Sequence, residues 1–488
     1  MPLSANRIII LLFTGLYFVI ACVLAAQKPY WLDETVSVGI AALPNVQNIL
    51  AILAAGKDAH PPLSFLLIHF CFALFGPGEL PARLPSILAF FGALVAVYHF
   101  LRFRFSTPIA LAGTVLLAIS PACYYATEAR SYALLLAAAA GAALAWQRRS
   151  HLGLAAAFAF SISSHYYAVL LAPVFVIATL VRERRAALPT LTAITVGFLP
   201  LFLYLPLIHS AFTRGLSTWQ FNPDNIARPS IGQLGQMLLR VFIYEMIPLL
   251  LLVALLLFHR LFRQSRPNPE SPSLPLAEKV LAGCLLLLPP VLLAISKFTV
   301  GAFFERYVIP WHLGVALLLA TAHATLCSRP AHAWAFLASC LAGPLLFPPV
   351  YKPFHTISSE LRNQWDNLAL PPGLPIVYAD ALDYNSVCLY APPAIRNRLL
   401  YVHDIAVSRL TRDPVPEQII VQLGPSLFPF RAELYAQFVA SRPTFLLFTT
   451  GLIDREWLPG RLRTDGYQFT PLRTLRDHTL YRVSPPEQ

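Results

Sequence analysis

Two adjacent carboxylates, Asp33 and Glu34, stand in the stretch "YWLDETVS" (residues 30–37), directly after an apolar run that reads as a membrane span. Other ionisable residues recur where apolar runs begin or end: Asp58 and His60, Glu79 and Arg83, Glu128 and Arg130, His165, Lys297, and Glu305 with Arg306. A carboxylate beside an acceptor hydroxyl can take its proton as a new bond forms, which is general-base catalysis, and Asp33, Glu34 and Glu128 are the candidates for it. A guanidinium grips phosphate through two parallel N–H bonds and a lysine adds a point charge, so Arg83, Arg130, Lys297 and Arg306 could stabilise a departing phosphate. Together these residue types describe transfer of a group from a phosphate leaving group to a hydroxyl or amine. One acid could instead hold a divalent cation through hard oxygen ligands, or orient the base, and the residues leave that choice open. His165 can hold a phosphate or an acceptor, or simply close a tight turn in "SSHYY". Tyr124, Tyr125, Tyr166, Tyr167 and Tyr307 can stack on a sugar or form an interfacial aromatic belt. The stretch "STWQFNPDN" (Ser217–Asn225) reads as a lid or an interfacial helix.

The elements that must position these groups are set by composition. Of 488 residues, 57% are hydrophobic and only 12% charged, and the mean hydropathy is +0.61. That profile belongs to a polytopic α-helical membrane protein. Placing Arg7 in the cytoplasm puts the basic loops "QRRSH", "RERR" and "HRLFRQSR" there too. The spans are then 8–26, 84–101, 107–125, 131–147, 151–164, 166–181, 187–207, 241–259, 279–296, 307–326 and 333–350. These are about eleven transmembrane helices, with the ionisable residues on the outer face. Residues 60–76 are apolar but short, and fit a juxtamembrane or re-entrant element that leaves Asp58, His60, Glu79 and Arg83 outside. A cluster of costly charges at one membrane face implies a water-filled functional cavity.

The net charge of +12 lies largely in the inter-helix loops, where it sets orientation and favours anionic lipid and phosphate, so nucleic acid is not implied. Seven cysteines without a ligand-like spacing indicate neither a disulfide framework nor a zinc site. After Val350 the character changes, and residues 351–488 read as a small extracytoplasmic α/β domain following a membrane domain of residues 1–350. "LPIVYAD", "EQIIVQLG", "TFLLFTT" and "HTLYRVSP" read as strands, and "FRAELYAQFVAS" (Phe430–Ser441) as a helix. No glycine-rich phosphate loop occurs among them.

Taken in order, "YWLDE", "DAHPPL", "ARLPS", "YYATEARSYAL", "SSHYYAV" and "FFERYVIP" resemble the successive motifs of C-type (GT-C fold) glycosyltransferases, over roughly residues 1–330. The branch most resembled contains the protein O-mannosyltransferases and the lipid A aminoarabinose transferase. That resemblance implies an inner-membrane enzyme with its N-terminus cytoplasmic and its C-terminal domain periplasmic. The enzyme would take a sugar from a polyprenyl-phosphate carrier to a lipid, glycan or protein acceptor at the outer face, with inversion. It also implies that Asp33 is the base with Glu34 as its neighbour. Arg83, Lys297 and Arg306 would approach the donor phosphate, and Glu128 with Arg130 would complete the cavity. Asp58, His165 and Tyr307 line the same face, and His60 stands where some relatives carry a lysine before the proline. The rival readings are an oligosaccharide polymerase or ligase, which would need a large basic outer loop where 298–306 is short, and a lipid-linked sugar transporter or flippase. The transporter should bury charges at mid-span and carry symmetric interrupted helices.

Overall fold

A computed structural model of the chain describes residues 5–211, 213, 230–262, 273–298, 303–326, 330–346, 358–366, 368, 370–408, 415–428, 430–441, 444–451, 456–475 and 478–486. The stretch Ser217–Asn225, expected to form a lid or an interfacial helix, lies outside them. Two compact units divide the chain. The first gathers Met1–Ala26, Ile49–Gly215 and Pro229–Pro353; the second gathers Gln27–Asn48, Leu216–Arg228 and Phe354–Gln488.

Among its described residues the first unit is helical. Arg7–Gln27, Glu79–Arg102, Tyr166–Ala186 and Leu188–Ser210 are each long and apolar enough to cross a membrane. Two bent pairs bring the number to six if each is one span: Thr107–Ile119 with Pro121–Thr127 at 68°, and Leu276–Leu286 with Leu288–Phe298 at 44°. The chain is thus a multi-pass membrane protein. The expected element at 60–76 is the short apolar helix Leu63–Phe75.

The bends have identifiable causes in the sequence. Pro121 forces its predecessor Ser120 into extended backbone (φ −65°, ψ 164°), and the Ser120 hydroxyl accepts the N–H of Ala122 at 3.3 Å to start a 3₁₀ turn. The expected straight span 107–125 therefore folds over, and Glu128 leaves the turn in extended conformation. The expected span 279–296 breaks near Leu287, where Pro289 and Pro290 supply no N–H to the preceding turn. Likewise "FFERYVIP" forms a 3₁₀ turn, Glu305–Val308, and the α-helix starts only at Trp311, after Pro310.

Small residues set the helix packing. The alanine-rich helix Tyr132–Gln147 packs against both Glu79–Arg102 and His151–Ser164. At Gly314 an added Cβ would lie 2.7 Å from the carbonyl oxygen of Ala282 and 2.8 Å from the backbone nitrogen of Leu286. The helices Trp311–Leu326 and Leu276–Leu286 therefore meet backbone to backbone there.

The second unit holds a six-stranded sheet of order β3-β2-β1-β4-β6-β5. Its strands are β1 (Ile376–Tyr378), β2 (Leu399–His403), β3 (Ala432–Leu434), β4 (Phe445–Thr449), β5 (Gln468–Thr474) and β6 (Thr479–Ser484). The first four run parallel, and β6 pairs antiparallel with β4 and β5. Ile376 and Tyr378 pack with Tyr401, Leu446 and Phe448 on one face of the sheet; Val377 packs with Leu400, Phe445 and Leu447 on the other. This is the α/β fold expected of the C-terminal region, with two local corrections. "EQIIVQLG" is not a strand but part of the helix Val415–Leu427, because Ile420, Gly424 and Leu427 recur at helical spacing and Pro416 fits a first helical turn. "FRAELYAQFVAS" is not one helix: it supplies β3 and then the helix Tyr435–Ser441. The same unit includes the helix Leu32–Ala41, which packs against Ala381–Tyr390 and Val415–Leu427.

The Gly314 contact has a simple test. Gly314→Ala should lower stability by about 1–3 kcal/mol, because backbone cannot yield to the new methyl group. Gly283→Ala, where nothing lies within 4 Å, should be neutral or stabilising. Thermal unfolding of the detergent-solubilised variants measures both.

Candidate functional site

The first unit brings Asp58, His60, Arg130 and His165 together. Asp58 and His60 sit in the loop between the helices Val46–Ala54 and Leu63–Phe75. Gly56 makes that loop possible, with φ +74° and a position 2.7 Å from the carbonyl oxygen of Ser210 for any added Cβ. The Asp58 Oδ1 oxygen accepts the backbone N–H of His60 at 2.8 Å and contacts its Nδ1 at 2.7 Å. Arg130 Nη1 stands 3.8 Å from Asp58 Oδ2, and its Nη2 lies 3.2 Å from His60 Nε2. The tautomer that satisfies both neighbours carries the His60 proton on Nδ1, donated to Asp58, and leaves Nε2 to accept from Arg130. Burial pushes the Asp58 carboxyl up, but His60 and Arg130 outweigh it and hold the group at about 2.

Arg130 reaches this place because the 3₁₀ turn Pro121–Thr127 folds the chain over. Its carbonyl is then pinned at 3.0 Å by the Ser86 hydroxyl of the helix Glu79–Arg102. His165 follows the last residue of the helix His151–Ser164, and its Nδ1 accepts the N–H of Tyr167 at 3.2 Å. That bond fixes the remaining proton on Nε2. The Nε2–H is buried and has no acceptor among the described residues. Burial, reinforced by His60, Arg130 and Arg306 against the opposing charge of Asp58, drives the His165 pKa well below the ordinary histidine range. The ring of His165 lies 5.2 Å from His60, 5.6 Å from Tyr132 and 5.6 Å from Tyr307. The Tyr132 hydroxyl is buried and likewise lacks a partner among the described residues.

Arg306 and Tyr307 complete the wall. The Arg306 guanidinium lies 4.2 Å over the Phe304 ring and 5.8 Å from that of Tyr132. Tyr307 stacks on Tyr167 at 4.7 Å. Glu305, in the same turn, is held by His312 Nε2 at 3.0 Å. Glu128 is buried.

Of the other expected residues of the first unit, Arg83 and Lys297 have other surroundings. Arg83 is fully buried and donates Nη1 to the carbonyl of Ala25 at 2.6 Å, a cation at the last turn of the helix Ala5–Gln27. Lys297 is exposed at the end of Leu288–Phe298 and, among the described residues, takes no part in the cluster's contacts. Asp33 and Glu34 belong to the second unit, in the first turn of Leu32–Ala41. Glu34 is buried and its Oε2 accepts the Trp31 N–H at 3.4 Å, so it caps its own helix. Asp33 is partly exposed beside it. The Asp58 oxygens face His60 and Arg130, and among the described residues no group of three or more His, Cys, Asp or Glu could hold a metal ion. The donor set in this cluster does not fit a divalent cation.

Sequence reasoning missed Tyr132, although it lies two residues beyond Arg130 at the start of a helix, in the same motif. It also missed Glu245, a lone acid in an apolar run that is buried at the junction of the helices Ile231–Tyr244 and Met246–Phe262. Its signal was the charge itself.

A set of two guanidiniums, imidazoles and tyrosine rings is suited to anionic oxygens carried on a ring-shaped polar group. Residues 59–209 match the family model described as dolichyl-phosphate-mannose-protein mannosyltransferase. The chain has no significant sequence match among curated proteins. Among solved structures it is similar to ArnT from Cupriavidus metallidurans bound to undecaprenyl phosphate, at 13% identity and a TM-score of 0.40 over 98% of both chains. The apo state of the same protein gives 13% and 0.42, again over 98% of both chains. The archaeal oligosaccharyltransferase AglB from Archaeoglobus fulgidus, in complex with an inhibitory peptide and a dolichol-phosphate, gives 12% and 0.41 over 94% of this chain and 73% of that one. The segment matched to the mannosyltransferase family, 59–209, contains His60, Arg130 and His165 of the cluster, together with Arg83 and Glu128.

Asp58 has a measurable signature. Its carboxyl is lowered from 3.8 to about 2, so its stabilisation is full above the higher value and is lost as pH falls through the lower one. Asp58→Asn should cost on the order of 2 kcal/mol at neutral pH. In acid titrations followed by unfolding, the variant should lack the part of the wild-type loss that falls between those two values.

Proposed function

We propose that this chain is an inner-membrane glycosyltransferase that moves a sugar from a polyprenyl-phosphate carrier to an acceptor hydroxyl or amine at the outer face of the membrane. The observation that carries this reading is the cluster of Arg130, Arg306, His60 and His165 around Tyr132, in which Arg130, His165 and Tyr132 are buried. In it a His165 Nε2–H and a Tyr132 hydroxyl stand without partners among the described residues. Buried polar groups are normally satisfied, and a phosphate or sugar oxygen supplies what these two lack. The match of residues 59–209 to a family that uses a dolichyl-phosphate sugar supports a lipid-linked donor.

In this reading the acceptor oxygen or nitrogen attacks the anomeric carbon from the face opposite the phosphate. The bond between that carbon and the phosphate oxygen breaks, and its electron pair leaves with the polyprenyl phosphate. Asp33 takes the acceptor proton, with Glu34 fixing the start of its helix. Arg130, Arg306 and His165 stabilise the charge that develops on the departing phosphate, Tyr307 and Tyr167 offer their rings to the sugar, and Glu128 helps to set the local charge. Arg83 and Lys297 remain candidates for the carrier phosphate as it enters. The full arrangement is about eleven spans, with the N-terminus cytoplasmic and the C-terminal α/β domain periplasmic.

The deciding experiment follows label from radioactive polyprenyl-phosphate sugars to a membrane lipid and peptide extract, using purified chain in nanodiscs. Wild type should transfer label, and Asp33→Asn should slow transfer by about 100-fold or more while undecaprenyl phosphate binds unchanged. His165→Phe and Arg130→Gln should instead weaken undecaprenyl-phosphate binding about 10- to 100-fold. Full transfer by a folded Asp33→Asn would overturn the assignment of the base, and no transfer by wild type from any carrier would overturn the enzyme reading.

A further inference from the structure

The helix that carries Asp33 has only ten residues. Isolated helices shorter than about 12–15 residues are marginal in water, so its order comes from what it packs on. The second unit holds it at three successive levels. Before it begins, the Tyr30 N–H donates to the Tyr390 hydroxyl at 2.9 Å. One turn in, Asn385 Nδ2 donates to the Thr35 hydroxyl at 3.0 Å, with both side chains buried. Near its end Gly39 lies so close to the helix Val415–Leu427 that an added Cβ would stand 2.6 Å from the Phe428 ring and 3.0 Å from Leu427 Cβ.

Asn385 and Tyr390 both lie on the helix Ala381–Tyr390, which leaves the C-terminal end of β1 in the middle of the sheet. Asp380 anchors its start by accepting the N–H groups of Leu382 and Asp383 at 2.7 and 3.2 Å. A rigid path therefore runs from the sheet centre through Asn385 and Thr35 to Asp33. We propose that the C-terminal α/β unit is the positioning device for the base, and that Asn385, acting through Thr35, and the Gly39 contact with Phe428 fix where the Asp33 carboxylate stands. This rests on the reading of Asp33 as the base. A general base must be held to within about 0.5 Å of its productive place, and a sheet supplies that rigidity better than a loop at the end of a span.

The test uses the full chain and the carrier that wild type turns over. Asn385→Ala and Thr35→Val, which removes the hydroxyl at similar volume, should each lower kcat about tenfold with KM for the carrier within about twofold. Thr35→Ser, which keeps the hydroxyl, should stay near wild type. Gly39→Ala should lower kcat similarly, and adding Phe428→Ala should restore it. That rescue decides the matter should Asn385→Ala fail to fold. Wild-type kcat in a folded Asn385→Ala, a change in KM alone, or no rescue by Phe428→Ala would overturn the positioning role. Asp33→Asn run beside them separates the two readings. If it is inactive while Asn385→Ala is unimpaired, only the positioning role falls. If it transfers fully, or if wild type transfers nothing, the base assignment falls and this inference with it.

Discussion

The polar cluster of the first unit depends on how one guanidinium, that of Arg130, is kept charged among apolar helices. A charge at membrane depth costs about 2.5–3.5 kcal/mol even on lenient scales, so it persists only with a counter-charge and acceptors brought to it. Asp58 supplies the charge, His60 accepts from Nη2, and the Ser86 hydroxyl holds the Arg130 backbone. The same Asp58 oxygen that orients His60 also closes the loop on its own backbone. The members share partners, which makes the cluster a unit rather than a set of independent contacts.

That unit in turn depends on interrupted helices. Straight spans would strand Glu128, Arg130 and Arg306 along helix sides facing lipid or neighbouring apolar residues. Pro121 and Pro310 instead mark turns of 3₁₀ helix, and Arg130 and Arg306 come to lie 5.7 and 5.8 Å from the Tyr132 ring. Non-helical backbone inside a membrane protein is tolerated where its polar groups find partners; the Ser120 hydroxyl and the His165 Nδ1 provide them here. The interruptions are thus the means by which an apolar bundle carries a polar site.

The two acids of "YWLDETVS" divide their work by depth. Glu34 is turned inward, where its carboxylate accepts the Trp31 N–H at the start of the helix. Asp33, one residue earlier, is partly exposed. Both belong with the sheet unit, so residues that follow the first apolar helix and a segment more than three hundred residues downstream form one structural body.

Much of this was legible in the chain. Hydropathy and basic loops announced a polytopic membrane protein, the strands "LPIVYAD", "TFLLFTT" and "HTLYRVSP" announced a sheet, and isolated charges at span borders pointed to Asp58, His60, Arg130, His165 and Arg306. These signals are local: each is a property of a few consecutive residues against a lipid or pleated background. Where the signal was ambiguous, as in "EQIIVQLG", a short apolar run fitted both periods, and packing against the sheet chose the helix. Arg83 illustrates the other limit, since nothing in "ARLPS" says that its guanidinium would end on the Ala25 carbonyl, in a helix 58 residues earlier in the chain. The sequence by itself determined which residues carry charge and that they cost too much to be idle. Only the tertiary structure decided which of them meet, which cap helices, and that Asp33 rides on the C-terminal unit, because those outcomes depend on contacts between segments far apart in the chain.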